Sequence, residues 1–173
     1  MSNLLTKPWF ASLGLLLLRV FTGVLLIHHG FEKLSNIDNF ADAFVRPLHL
    51  PCPVSLSYLA AFSEIFGSLA LITGFATRLG ALAITSTISV AIYHAISTAG
   101  FNIFLLELLG LYFGSAFTIL TLGPGKFSID ELITRFITPN IEYEKKNLEL
   151  MINKTIASSN ASPTSYHSST LIP

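Results

Sequence analysis

Charge is what this sequence has least of. Ten lysines and arginines and ten aspartates and glutamates make up only 12% of 173 residues, and 51% are hydrophobic. A soluble domain usually carries about 25% charged residues, so too little polar surface is present for a water-soluble coat. Formal net charge is zero and the pI is near 7. That balance offers nothing to nucleic acid or to an acidic ligand. Cysteine is almost absent as well. Cys52 alone can form neither an internal disulfide nor a cysteine-only metal site. There is no CxxC pair and no nucleotide-binding glycine motif, so the chain carries no redox centre of its own.

What is present is long apolar runs. They cover Phe10–Phe31, Ser55–Phe75, Leu79–Ser97 and Asn102–Leu122. Each is close to the ~20 residues that cross a ~30 Å hydrocarbon layer at 1.5 Å per residue. None shows the polar face of a soluble helix. The expected fold is all-α, a polytopic membrane protein built as a four-transmembrane-helix bundle. The first run is read as a retained helix rather than a signal peptide, because it is too long, contains Arg19 and is followed by no small-x-small cleavage site.

The connections complete the outline. Glu32–Val54 mixes Phe40, Phe44 and Val45 with Asp38, Asp42 and Arg46, as a short amphipathic piece on a membrane surface would. Gly74-Phe75-Ala76-Thr77-Arg78 and the surroundings of Gly100 are tight links, which make successive helices antiparallel neighbours. Gly123-Pro124-Gly125 stops the fourth run. Ser128 and Glu131 then have capping-box spacing, and Ile129, Leu132, Ile133, Phe136 and Ile137 predict a short interfacial helix ending at Pro139. The membrane domain is thus assigned to 1–138. The segment 139–173, charged and then Ser/Thr/Asn-rich, is assigned to a disordered tail. Lys7, Arg78, Lys126 and Arg135 on one side outnumber Lys33 and Arg46 on the other, which places both termini in the cytoplasm and the chain in the cell membrane.

Ionisable groups inside the spans cost roughly 2.5–3.5 kcal/mol each and are normally turned inward and paired. Counted from the run ends, Arg19 and Glu64 lie roughly 18 Å and 14 Å deep at 1.5 Å per residue, which predicts an Arg19–Glu64 pair. It reads first as a register-fixing contact and second as part of a site. A second group gathers at the other end: His28, His29 and Lys33 from the first helix, His94 from the third and Glu107 from the fourth. This set suits a quinone head group, a proton relay, or a metal or haem iron. Adjacent histidines point about 100° apart on a helix, so at most one of His28 and His29 faces inward. No His-x-x-x-His or Glu-x-x-His motif supports a metal, and histidines at helix ends also serve as plain interfacial residues. Gly23, Gly67 with Ser68, and Gly110 with Gly114 share helix faces with the charges, as expected of faces turned to the bundle interior.

The same residues resemble one family. Leu18-Arg19-Val20-Phe21-Thr22-Gly23 with His29-Gly30-Phe31-Glu32-Lys33-Leu34 looks like the first-helix signature of the DoxX family. Glu64-Ile65-Phe66-Gly67-Ser68 and Gly74-Phe75-Ala76-Thr77-Arg78-Leu79-Gly80-Ala81 resemble its second helix and turn. Glu107 and the run Gly123–Asp130 resemble its fourth helix and exit. Ser68 departs from the pattern, where the family often has a second glycine. The resemblance implies a bacterial or archaeal four-helix membrane protein, similar to the small subunit of a thiosulfate:quinone oxidoreductase or to members of thiol-handling membrane oxidoreductase complexes. It implies a quinone as the cofactor and a redox partner subunit; a homo-oligomer belongs to the transporter reading, since four spans are few for a transporter. Two other readings stay open on the residues: a small proton-coupled transporter, and a membrane scaffold without a site.

Overall fold

The computed structural model describes residues 8–160. Among them there are only helices: α1 (Pro8–Ser35), α2 (Ile37–Phe40), a π-helical turn (Ala41–Val45), a 3-10 turn (Arg46–Leu48), α3 (Pro53–Thr73), α4 (Thr77–Ala99), α5 (Ile103–Leu122) and α6 (Ile129–Asn160). Helices α1, α3, α4 and α5 are long and apolar enough to cross a membrane. The chain is a multi-pass membrane protein. Contacts cluster into two units, Met1–Leu132 and Ile133–Pro173. The first contains all four spans. The end where α1 begins is called proximal below, and the end where it finishes, distal.

Local signals set the helix ends. Pro53 opens α3 with its ready-made φ, and Gly74 closes it in the left-handed conformation (φ +72°). The Asn102 side chain caps α5 by accepting from the Phe104 N–H at 3.2 Å. Ser128 Oγ accepts from the Glu131 N–H at 3.1 Å, which is half of the expected capping box.

Two glycines fix the register of α1 on α3. A Cβ on Gly23 would stand 2.9 Å from the Ser68 carbonyl oxygen, and one on Gly30 would stand 3.1 Å from that of Ala61. The two helices therefore touch backbone to backbone at two levels. Gly67 makes the same close approach to Gly80 of α4. Leu26, Leu71, Ala81, Ile84, Ile88, Ala116 and Ile119 fill the interior between the spans. The remaining faces carry exposed Phe, Leu and Ile, as lipid-facing surfaces do.

Two expectations are corrected. Helix α5 is the least covered span: 11% of its apolar window is buried, against 28%, 39% and 28% in the others. Nothing lies within 4 Å of a Cβ built on Gly110 or Gly114, so these glycines face outward, not into the bundle. Helix α6 does not end at Pro139 but continues to Asn160. One missing backbone donor costs about 3 kcal/mol. The following residues, Glu144, Lys145, Lys146, Leu148, Glu149, Leu150, Met151 and Lys154, are strong helix formers that sustain the helix beyond it. Of the disordered tail expected over 139–173, residues 139–160 are helical, and 161–173, like Lys7, lie outside the described residues.

Candidate functional site

The α1–α3 register decides which charges meet. Gly23 lies opposite Ser68, and Gly30 lies opposite Ala61. Arg19 therefore stands level with Ile72 near the proximal end, and Glu64 stands level with Ile27, two turns before the distal end of α1. About 12 Å along the helix axis separates them at 1.5 Å per residue. The expected Arg19–Glu64 pair does not form. The apolar run ends at Phe31, whereas the helix continues to Ser35, so Arg19 sits further from the distal end than the run implies.

Arg19 is fully buried and serves the exit of the bundle. Its Nη1 donates to the Pro124 carbonyl and its Nη2 to the Phe127 carbonyl at 2.6 Å. These carbonyls belong to the turn between α5 and α6. The same turn delivers Asp130, which accepts the Ala76 and Thr77 N–H groups at 2.8 Å and 2.9 Å. Asp130 thus caps α4, whose own N-cap residue, Ala76, has no side-chain cap and sits at φ +49°. Burial pushes the Asp130 carboxyl upward, but the two N–H donors and the Arg19 charge outweigh it and hold it below its ordinary value.

At the distal end Lys33 Nζ donates to Glu64 Oε1. The Glu64 side chain is 2% exposed and that of Lys33 18%. His29 is half-exposed and sets its ring edge-on to Tyr112 of α5, with centroids 5.9 Å apart. Its Nδ1 lies 3.6 Å from Glu32 Oε2. His28 is exposed, in keeping with the 100° rule. His94 packs against Phe44, with centroids 5.2 Å apart, and its buried Nε2 has no hydrogen-bond partner. Glu107 is exposed on the uncovered face of α5 and takes no part. The five grouped residues therefore divide: His29, Lys33 and His94 lie at the site, whereas His28 and Glu107 do not.

The structure adds a cavity of about 380 Å³ at this end. Its walls come from α3 and α4, including Leu56, Leu59, Ala60, Val90 and Ala91. Phe40, Phe44, Val45 and Leu48 of the α2–π–3-10 segment cover it. Lys33 and His94 are its ionisable lining residues. The volume is in the usual range for a small-molecule site. Lys33 Nζ also lies 5.2 Å from the Phe40 ring centroid, so the cover packs on the same cation that pairs with Glu64. Among the described residues no group of three or more His, Cys, Asp or Glu is placed to hold a metal.

Sequence reasoning missed Tyr112 and the roles of Asp130. Tyr112 is one tyrosine in an apolar run and gives no local signal. Asp130 had one: an acidic residue in the first turn of a helix with a capping box.

Fold and site together define a four-span helical membrane protein with an apolar cavity partly covered by a surface segment and lined by the nitrogen-bearing side chains of Lys33 and His94. The DoxX family profile matches residues 14–97, which include Arg19, His29, Lys33, Glu64 and His94. An uncharacterized protein of Haemophilus influenzae is 33% identical over 133 residues, covering 72% of this chain and 86% of that protein. The chain belongs to the DoxX family. No solved structure matches it.

Proposed function

We propose that this protein is the membrane subunit of a quinone-linked redox complex and that its cavity holds the quinone head group. The observation that carries the reading is the cavity itself. Its walls are apolar, as an isoprenoid quinone requires, and its polar groups include two donors suited to quinone carbonyl oxygens, Lys33 Nζ and the unpartnered His94 Nε2. A bound quinone would supply two-electron redox chemistry. The chain's own residues bind its ring, orient it through these donors and exclude water with Phe40 and Phe44. Electrons come from a partner subunit that oxidises a thiol or thiosulfate. The excess of lysine and arginine at the proximal end supports a cytoplasmic position for both termini in the plasma membrane.

The test is equilibrium binding of a short-chain quinone to the full chain in lipid nanodiscs. His94→Leu is expected to weaken binding about tenfold, the value of one good hydrogen bond to a donor. Ala91→Phe, which fills the cavity, is expected to abolish binding while helical content is kept. Unchanged affinity in both variants would remove the reading. Purification in mild detergent, with identification of co-purifying proteins, tests the partner subunit.

A further inference from the structure

Helices α3 and α4 touch at one end of their seam and part toward the other. A Cβ on Gly67 would stand 3.0 Å from the Gly80 carbonyl oxygen, and one on Gly80 would stand 2.6 Å from the Ala70 Cβ. The two backbones are therefore in contact in the proximal half of the seam. One turn nearer the distal end, contact gives way to the cavity. Ser63, one turn from Gly67, and Ala83, one turn from Gly80, both line it. On α4 its wall continues through Thr87, Val90 and Ala91 to His94, a spacing that keeps to one face of the helix. Ala83 and His94 stand about 16 Å apart along the axis at 1.5 Å per residue. The cavity is thus a groove, far longer than a single ring.

The two ends of the groove differ. The distal end lies under Phe40 and Phe44 and bears Lys33 and His94. The deep end lies beyond Ile88, the middle residue of the 23-residue α4. There the lining is small: Ala60, Ser63, Ala83 and Thr87. The hydroxyl protons nearby are spent on their own helix. Ser86 Oγ donates to the Leu82 carbonyl at 2.8 Å and Thr87 Oγ1 to the Ala83 carbonyl at 3.0 Å. The flank of the groove is open, since Leu59 is 62% and Val90 50% exposed. Both residues belong to helices that cross the membrane, so the open flank meets hydrocarbon rather than water.

We infer that the deep half of the groove is a chain subsite. It holds the isoprenoid chain of the ligand, laid between α3 and α4 from beside His94 down to Ala83, and Ala83 and Ser63 limit how far the chain reaches. The quinone head rests on the proposed function; the chain subsite rests on the shape and lining of the groove. Two features select a chain. A ring placed at Lys33 and His94 leaves the deep half unfilled, and nothing in the deep half offers a polar ligand a free donor from Ser86 or Thr87. The ligand class is thereby narrowed to molecules that live in the bilayer, and water-soluble quinones fill only part of the site.

The experiment uses the full chain in lipid nanodiscs and two quinones with the same head, one without a chain and one with several isoprene units. Each ligand is compared between wild type and variant, so its own partition into lipid cancels. Ala83→Phe is expected to weaken the long-chain quinone about tenfold, as overpacking of a filled site does, and to leave the chainless one unchanged. Ser63→Leu blocks the same end from α3 and keeps the result secure if the first variant folds poorly. His94→Leu should weaken both ligands alike. In parallel, an isoprenoid alcohol with a photoreactive group at the far end of its chain should label α3 and α4 near Ser63 and Ala83, and a phospholipid with the same group at its acyl end should not. Equal loss of both quinones, no loss of the long-chain quinone in either blocking variant, or labelling by the phospholipid alone would overturn the inference. Labelling by the alcohol without binding of any quinone refutes only the quinone reading. Binding of the chainless quinone with no effect of the chain refutes only the chain subsite.

Discussion

Asp130 caps a helix to which it does not belong. Its two carboxylate oxygens accept the Ala76 and Thr77 N–H groups at the start of α4, and its own N–H donates to the Gly74 carbonyl at 2.9 Å. The exit of the last span is thereby tied to the turn between α3 and α4.

Loss of this cap should be measurable. Asp130→Ala is expected to lower stability by about 1–2 kcal/mol, and Asp130→Asn by less, since one acceptor remains. Thermal unfolding in mild detergent, followed by circular dichroism, reads the difference.

The same contact predicts an acid dependence. The folded Asp130 carboxyl titrates below its ordinary value of 3.8, so the charged form is favoured by folding. Its contribution is complete above that ordinary value and is lost as pH falls through the lower, folded value. The wild type should therefore lose more stability than Asp130→Asn between about pH 5 and pH 2. Parallel acid titrations of the two proteins would contradict the assignment.

Pairing predicts which variants rescue one another. Removing either member of a buried ion pair costs about 3–5 kcal/mol because the other charge is stranded. Lys33→Met combined with Glu64→Leu should be more stable than either single variant. Arg19→Met combined with Glu64→Leu should show simple additivity, as the two groups share no partner. A double-mutant cycle for each combination separates them.

Glycines that look alike in sequence should behave oppositely. Gly30→Ala forces a Cβ to 3.1 Å from the Ala61 oxygen and is expected to cost about 1–3 kcal/mol. Gly110→Ala and Gly114→Ala meet open space and remove a poor helix former, so each should be neutral or stabilising by up to about 1 kcal/mol. Unfolding midpoints of the three variants check this.

The spans were legible because hydrophobic length is a property of the sequence itself, and the four runs agree closely with α1, α3, α4 and α5. The helix partners were not. Which charges meet depends on a register set by Gly23 and Gly30, and a four-residue error at the end of α1 moves Arg19 by about one turn. Glu64 reads from the sequence as a buried charge, yet its partner, Lys33, reads as a member of the separate distal group. The uncovered face of α5 was hidden for another reason. Small residues beside a glutamate mark close packing only where a neighbour is present, and periodicity does not reveal the neighbour. Pro139 misled because its local cost is smaller than the combined preference of the helix formers after it.

The Arg19 contact spans 105 residues of sequence. At about 5–20 residues per second, the ribosome delivers Pro124 roughly 5–20 seconds after Arg19. During that interval the first span holds a cation whose final acceptors do not yet exist. Release of α1 into lipid has to wait, or has to be assisted by temporary partners at the insertion site. Biogenesis of this small protein thus closes from its last turn backwards, and a chain halted before Pro124 leaves its first helix without a settled place in the membrane.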